Sequence, residues 1–534
     1  MMPRLSLQTA ASFANTDTPD SGLPNYLQPL VPTLSQSQTQ QQVKTPLPGI
    51  GIVHLGPGAF FRGHQAWYTH RAMQKAGGNW RICAVSLRTP DVAEALNPQD
   101  GLYTLAVMEQ QSEFTLIGAI AEVLVATTQA EQVLARLTAA STSFVTMTIT
   151  EKGYCLTPAG GLDLQHPDIQ HDLKHRAATP KSAIGWLVKA LKLRFDANVP
   201  PFVVISCDNL TDNGKKLKAA LLQFAEQLDP ALVNWLSQQL ISPSTMVDSI
   251  TPATDDALRE LVTEQLGYND AWPVKREQFC QWVIEDVLPS PRPAWEQAGV
   301  IYTSDVRAFE KAKLRLLNAP HSTLAYLGVL LGLETVEDAV SHQELRALVR
   351  LMTSAEIIPS FIPPAELNAE QYSADIFRRF ENPSVRHLLA QIAWDGSQKL
   401  PMRILPVISD NLAAGRSIKL LALAIASWLH FLRLRASQQP TINLVDPLAA
   451  RLLPIAAACV GSAEDVDLWL AECPIFPEKL CRSSQFKTEL TEMYQQLAPI
   501  AAAAIAGKAL PSAAQCLAEI TKNASARIGY GEQE

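Results

Sequence analysis

Residues 49–65 read Gly49-Ile50-Gly51-Ile52-Val53-His54-Leu55-Gly56-Pro57-Gly58-Ala59-Phe60-Phe61-Arg62-Gly63-His64-Gln65. The first seven form a short apolar run with the β-branched bias of a buried strand. Gly56 and Gly58 then permit a tight turn in which backbone N–H groups approach a pyrophosphate. The helix expected to follow offers its unpaired donors at the same point. Pro57, Ala59 and Phe60 complete this candidate cofactor turn. The glycine that would finish a G-x-G-x-x-G fingerprint falls at position 61, which is Phe. Taken alone, the segment therefore also suits an ordinary strand–turn–helix link.

Outward from this turn, strand signals recur at 80–87, 103–107, 114–120, 143–150 and 202–206, with helical spacing at 129–138, 183–194 and 214–228. Alternation of this kind argues for a mostly parallel sheet covered on both faces. The second strand leads into Arg88-Thr89-Pro90-Asp91. A carboxylate there accepts hydrogen bonds from an adenosine ribose and repels a 2′-phosphate, so Asp91 points to NAD, while Arg88 would favour NADP.

From about residue 301 the strand signals fade, and apolar residues recur at helical spacing through 309–333, 343–352, 385–393, 417–434, 447–459 and 496–506. The expected architecture is an α/β Rossmann-like dinucleotide-binding domain over 46–295 and a mostly α-helical substrate domain over 296–534. The join falls in the proline cluster Pro289-Ser290-Pro291-Arg292-Pro293. Residues 1–45, which include Ser35-Gln36-Ser37-Gln38-Thr39-Gln40-Gln41-Gln42, read as a mobile leader.

A net charge of −8 argues against a nucleic-acid surface. The eight cysteines form no Cys-x-x-Cys pair and no zinc-like spacing, which points to a reducing compartment and chemistry without a metal. No apolar run approaches the roughly 20 residues that span a bilayer, and the N-terminus makes a poor signal peptide. A soluble cytoplasmic protein is the expectation.

The glycine turn, extended through Ala66, resembles the corresponding motif of the mannitol dehydrogenase family of long-chain polyol dehydrogenases. The resemblance continues at 148–155 (Thr-Ile-Thr-Glu-Lys-Gly-Tyr-Cys), 180–185, 206–210 (Ser-Cys-Asp-Asn-Leu), 246–248, 281–286, 313–328 and 395–401 (Asp-Gly-Ser-Gln-Lys-Leu-Pro), in order over residues 50 to about 405. It implies an NAD-dependent enzyme that interconverts a secondary alcohol and a ketone on a sugar-derived small molecule. It also implies a monomer. By this resemblance Lys313, in Lys313-x4-Asn318-x2-His321, is the general acid–base. Asn318 and Asn209 donate to the oxygen that carries developing charge, and His321 orients a substrate hydroxyl. Asp248 belongs to the substrate-binding set.

One branch of this family takes a neutral hexitol or related polyol such as arabinitol, another a ketouronate of the fructuronate kind. Lys152 and Gln391 match the ketouronate pattern, and Lys152, Lys399 and Arg386 are candidates to hold a substrate carboxylate. Lys152 suits a cofactor phosphate equally well. A non-catalytic dinucleotide or sugar-acid sensor is the alternative from another class, and retention of Lys313 argues against it. Departures from the family pattern are Phe61 for His, Ser249 for Arg, Lys275-Arg276-Glu277-Gln278 for Val-Cys-Glu-Pro, and Ala319-Pro320 for Gly-Ser. Because proline lacks a donor, the helix carrying Lys313 is expected to stop near Asn318 and a second to begin at Pro320.

Overall fold

The computed structural model describes residues 2–12, 23–30, 47–109, 112–383 and 386–528. It divides into two compact units, Met1–Arg307 and Ala308–Glu534. The strands of the first are β1 (Ile50–Leu55), β2 (Arg81–Ser86), β3 (Tyr103–Val107), β4 (Glu113–Ile117), β5 (Ile120–Val125), β6 (Phe144–Met147), β7 (Val203–Ser206), β8 (Thr245–Asp248), β9 (Val274–Arg276), β10 (Gln281–Glu285) and β11 (Ile301–Thr303). A five-stranded sheet runs β5-β2-β1-β6-β7, and two three-stranded sheets run β11-β10-β8 and β4-β3-β9. All four neighbour pairs of the large sheet are parallel.

Both faces of that sheet are covered, so its strands carry apolar residues at successive positions rather than alternating with polar ones. Ile52, Ile82 and Ala84 pack into one core, and Val53, Leu55, Cys83 and Val85 into the other. The chain leaves β1 toward β2 and β5, then returns to the opposite side for β6 and β7. Strand order therefore reverses between β1 and β6, and the loops at the carboxyl ends of these two strands open at that crevice, where ligands bind in open α/β sheets.

Three expectations are corrected. The single strand expected at 114–120 is two: β4 lies antiparallel to β3, while β5 lies parallel to β2. The charge of Glu122 hides β5 in the sequence, and in the fold that carboxylate accepts from Arg136 Nε at 2.5 Å. The proline cluster is internal to the first unit, because β11 pairs in parallel with β10 and carries the unit on to Arg307. Finally, described parts of the expected leader belong to the core: Leu5, Leu23, Tyr26 and Leu27 are buried. The Leu5 N–H donates to Asn269 O at 2.9 Å, and the Tyr26 hydroxyl lies 2.8 Å from His70 Nδ1. Composition concealed these contacts because the few apolar side chains, scattered among polar ones, join a core cluster built mostly from residues far along the chain. The glutamine-rich stretch 35–42 lies outside the described residues.

The second unit is helical among its described residues. Lys419–Ser437 has the length and apolar character of a membrane-crossing helix, yet 89% of its apolar window is buried inside the fold. It packs against helices Ala319–Leu330, Ala449–Ala458 and Ser484–Ile505. Its start is held by the buried Glu356 carboxylate, which accepts from the N–H groups of Leu420 (3.1 Å) and Leu421 (2.8 Å) and from the Ser417 hydroxyl (2.6 Å).

Leu27 is fully buried, and its Cδ1 occupies the space that a Cβ on Gly118 would need. Leu27→Ala should lower unfolding stability by about 2–5 kcal/mol, read as a lower urea midpoint at unchanged slope. An unaltered midpoint would show that the N-terminal residues do not contribute to the core.

Candidate active site

The glycine turn rests on a buried polar foundation. His54 stacks on Phe61 with ring centroids 3.5 Å apart, and its Nδ1 lies 2.8 Å from Thr146 Oγ1. Its Nε2 lies 3.0 Å from Thr148 Oγ1, and that hydroxyl donates to Gly56 O at 2.8 Å. Burial pushes the His54 imidazole down to about 3, so it stays neutral. Phe61 thus belongs to the core rather than to the lip of the turn.

Gly56 has φ +91°, and a Cβ there would lie 2.2 Å from the Thr148 carbonyl oxygen. Only glycine fits. Gly58 differs: a Cβ there would meet no atom within 4 Å, and the residue is exposed at the start of helix Ala59–Gly63. That open ground before the first N–H groups of the helical stretch fits the approach of a pyrophosphate. Pro57 is buried, and Ala59 and Phe60 are half-buried around it. Asp91 is exposed as the first residue of helix Asp91–Leu96, reached from β2, the neighbour of β1. That position suits contact with the adenosine ribose; Arg88 is exposed in the same connection.

The loop after β6 is held by Asp208, a residue that the sequence reading passed over. Its carboxylate accepts from the N–H groups of Ile149 (2.9 Å) and Thr150 (3.0 Å) and from the Tyr154 hydroxyl (2.7 Å). These bonds hold Thr150 at φ +63°, a costly conformation for a β-branched residue. Burial raises the Asp208 carboxyl above the ordinary range, and the three hydrogen bonds act against that rise. Lys152 is exposed on the turn that follows, and Asn209 is exposed immediately after Asp208 at the end of β7. Asp248 is buried at the end of β8, in register with Gln281 on β10. Ser249 donates to Phe279 O at 3.0 Å, and the Arg276 guanidinium lies 4.0 Å over the Trp67 ring.

In the second unit, the backbone around Lys313 and Asn318 departs from expectation. The helix does not stop at Asn318. It stays helical from Val306 to Leu330 by passing through a π-turn at Leu314–Asn318. The Ala319 N–H reaches back five residues to Leu314 O. Pro320 has no N–H to return to Leu316, and a widened turn lets the chain continue past it. The sidedness changes as well. At the α-helical 3.6 residues per turn, residues five apart stand roughly 140° apart, whereas an i→i+5 turn brings them close to one face. Lys313 and Asn318 are so related, and His321 follows Asn318 by three.

His321 is buried, stacks on Phe380 at 5.2 Å and lies 4.8 Å from His387. Its Nε2 has no hydrogen-bond partner among the described residues. Burial, reinforced by His387 and the cations Arg403, Arg379 and Lys399, holds this imidazole well below its ordinary range, so it is neutral. Lys399 is half-buried and donates to Ile392 O at 3.1 Å. Gln391 is exposed. Arg386, expected to hold a substrate carboxylate, is instead engaged with Glu334 at 2.5 Å in an ion pair whose side chains are 68% and 64% exposed.

A glycine turn at the switch point of a parallel sheet, joined in one chain to a helical unit with the lysine–asparagine–histidine motif, defines a Rossmann-type dehydrogenase. The mannitol dehydrogenase Rossmann domain matches residues 50–297 and the mannitol dehydrogenase C-terminal domain matches residues 305–498. The chain belongs to this family of oxidoreductases. It is 40% identical to D-mannonate oxidoreductase of Escherichia coli over 452 residues, covering 84% of this chain and 93% of that one. With mannitol 2-dehydrogenase of Aspergillus terreus the identity is 35% over 457 residues, covering 84% and 90%. Among solved structures, the ternary complex of Pseudomonas fluorescens mannitol 2-dehydrogenase with NAD and D-mannitol is similar at TM-score 0.73 and 33% identity, covering 86% and 94%.

The two glycines separate fold from binding. Gly58→Ala should leave the melting temperature within about 1–2 °C of wild type while weakening dinucleotide binding at least tenfold, because its Cβ meets no protein atom. Gly56→Ala should lower both, because its Cβ meets backbone. Melting curves and dinucleotide titrations check this. Full dinucleotide affinity in Gly58→Ala would place the pyrophosphate elsewhere.

Proposed function

We propose that the chain is an NAD-dependent reductase of a keto sugar acid, interconverting fructuronate and D-mannonate. The observation that carries this reading is the likeness, over nearly the full length of both chains, to a D-mannonate oxidoreductase. The half-buried Lys399 beside His321 supports it, because that charge suits a carboxylate better than a neutral polyol. The NAD complex of the Pseudomonas relative and the carboxylate of Asp91 support NAD over NADP.

The glycine turn at Gly56–Phe60 and Asp91 would hold the dinucleotide, which when bound gives or takes the hydride. The protein handles the proton. Reduction turns the substrate carbonyl into an alkoxide-like oxygen, to which the ammonium of Lys313 gives a proton; in oxidation the neutral amine takes it back. Asn318 donates a hydrogen bond to that oxygen, and Asn209 stays a candidate donor on the first unit. Neutral His321 orients a neighbouring hydroxyl, with Asp248 in the substrate-binding set. Of the cations expected to hold the carboxylate, Lys399 lies in the group around His321, and Lys152 stays a candidate on the first unit. The cytoplasm is the proposed location.

Lys313→Ala should cut kcat for oxidation by about 10²–10⁴, the range of a positioned acid–base group, with NAD(H) affinity nearly unchanged. A variant with wild-type kcat and pH profile would show that the proton goes elsewhere.

Burial and the neighbouring Arg403 lower the Lys399 amine to about 8, so it is charged below that pH and neutral above it. KM for the keto acid should therefore rise as pH increases through about 8, shifted upward to the extent that the bound carboxylate favours the ammonium. KM for neutral fructose should not follow that course. Parallel pH profiles for the two substrates would remove Lys399 from carboxylate binding, and a wild-type preference for mannitol over mannonate would overturn the keto-acid reading itself.

A further inference from the structure

Helix Gly396–Arg403 carries Lys399 and Arg403 one turn apart, which places both on one side of it. Neither side chain is fully open to water. The Arg403 Nη1 donates to Ser322 Oγ at 3.0 Å, which ties the guanidinium to the residue next to His321. Two buried groups close by, His321 Nε2 and the Tyr326 hydroxyl, have no hydrogen-bond partner among the described residues. Arg403 acts electrostatically on His321, Tyr326 and Lys399 alike.

The charge balance here differs from that of Arg315 and Lys419, two other sequestered cations of this unit. Arg315 is paired with Asp410, and Lys419 is paired with Glu492 at 2.7 Å. The buried Arg433 is met by the Cys459 carbonyl and His430 Nδ1 rather than by a carboxylate. Among the described residues, no Asp or Glu forms an ion pair with Lys399 or Arg403; Asp395 and Asp446 favour the Lys399 ammonium only from beyond ion-pair distance, and burial and Arg403 outweigh them. Two like charges withdrawn from water beside each other raise the free energy of the folded protein unless an anion joins them. Repulsion from Arg403 is, after burial, the largest contribution to the lowered pKa of Lys399. A neutral polyol would leave that repulsion in place, whereas a carboxylate relieves it and accepts charge-assisted hydrogen bonds from both.

We propose that Arg403 is a specificity-determining residue that, together with Lys399, forms a two-cation seat for the carboxylate of the substrate. The assignment deepens the keto-acid reading above and rests on it. Arg403 supplies the permanent charge and planar donors of a guanidinium, and Lys399 supplies a point charge.

The test uses the full chain with NADH, measuring kcat/KM for fructuronate and for fructose in wild type, Arg403→Met, Arg403→Gln and Arg403→Lys. The ratio of the two constants should fall about ten- to a hundredfold in the Met and Gln variants, chiefly through KM for the keto acid, and should recover in large part in Arg403→Lys. Should Arg403→Met fail to fold, the Gln and Lys pair decides the matter, since both can donate to Ser322 but only one is charged. Equal losses on both substrates, or an unmoved ratio, would overturn the seat and leave Arg403 a packing residue. Malonate inhibition gives a separate reading. Competitive inhibition of wild type that weakens in Arg403→Gln supports the seat even if wild type ignores fructuronate, in which case only the keto-acid function fails. Malonate inhibition of equal strength in both would count against the seat.

Discussion

A side chain at position 56 would put its Cβ 2.2 Å from the carbonyl oxygen of Thr148, and this close approach organises the first unit. The exit of β1 is drawn against the exit of β6 at the place where strand order reverses. His54 below ties both exits together through Thr146, Thr148 and the Gly56 carbonyl. That foundation is buried and its imidazole neutral, and hydrogen bonds within the protein hold the turn above it. Asp208 does the same for the next loop, by gathering two backbone donors and one hydroxyl.

The second unit meets a comparable constraint at Pro320, where a backbone donor is missing. An ordinary α-helix would lose a hydrogen bond and clash with the preceding turn. The π-turn at Leu314–Asn318 keeps the chain helical and rotates Lys313 toward the side shared by Asn318 and His321. A departure from ideal backbone geometry thus coincides with the residues assigned the proton chemistry. The same unit keeps His321 neutral by burial and by a set of nearby cations.

Much of this was legible in the chain itself. The run Ile50–Leu55 followed by Gly56 and Gly58 marks a parallel-sheet strand and its turn, because a strand buried on both faces has no polar alternation and a tight exit needs glycine. Helical spacing beyond residue 301 was equally plain, and the family resemblance placed Lys313, Asn318 and His321 by their order in the sequence. β5 was obscured because Glu122 interrupts its apolar run and is neutralised only by Arg136, which lies outside the strand. Leu5 and Leu27 were obscured because their pockets are made by residues far away in sequence.

Local signals, then, mark the first strand, its glycine turn and the helical second half, and with them the fold class and the residues that could do chemistry. Tertiary structure alone decides which charges are left without partners. Arg386 and Arg403 are both arginines near the same motif, yet one is neutralised by Glu334 at the surface and the other is held beside Lys399 and His321. Nothing in their sequence spacing separates them. Whether a cation is available to a ligand depends on the carboxylates and the water around it, and those are set by packing between helices distant in the chain.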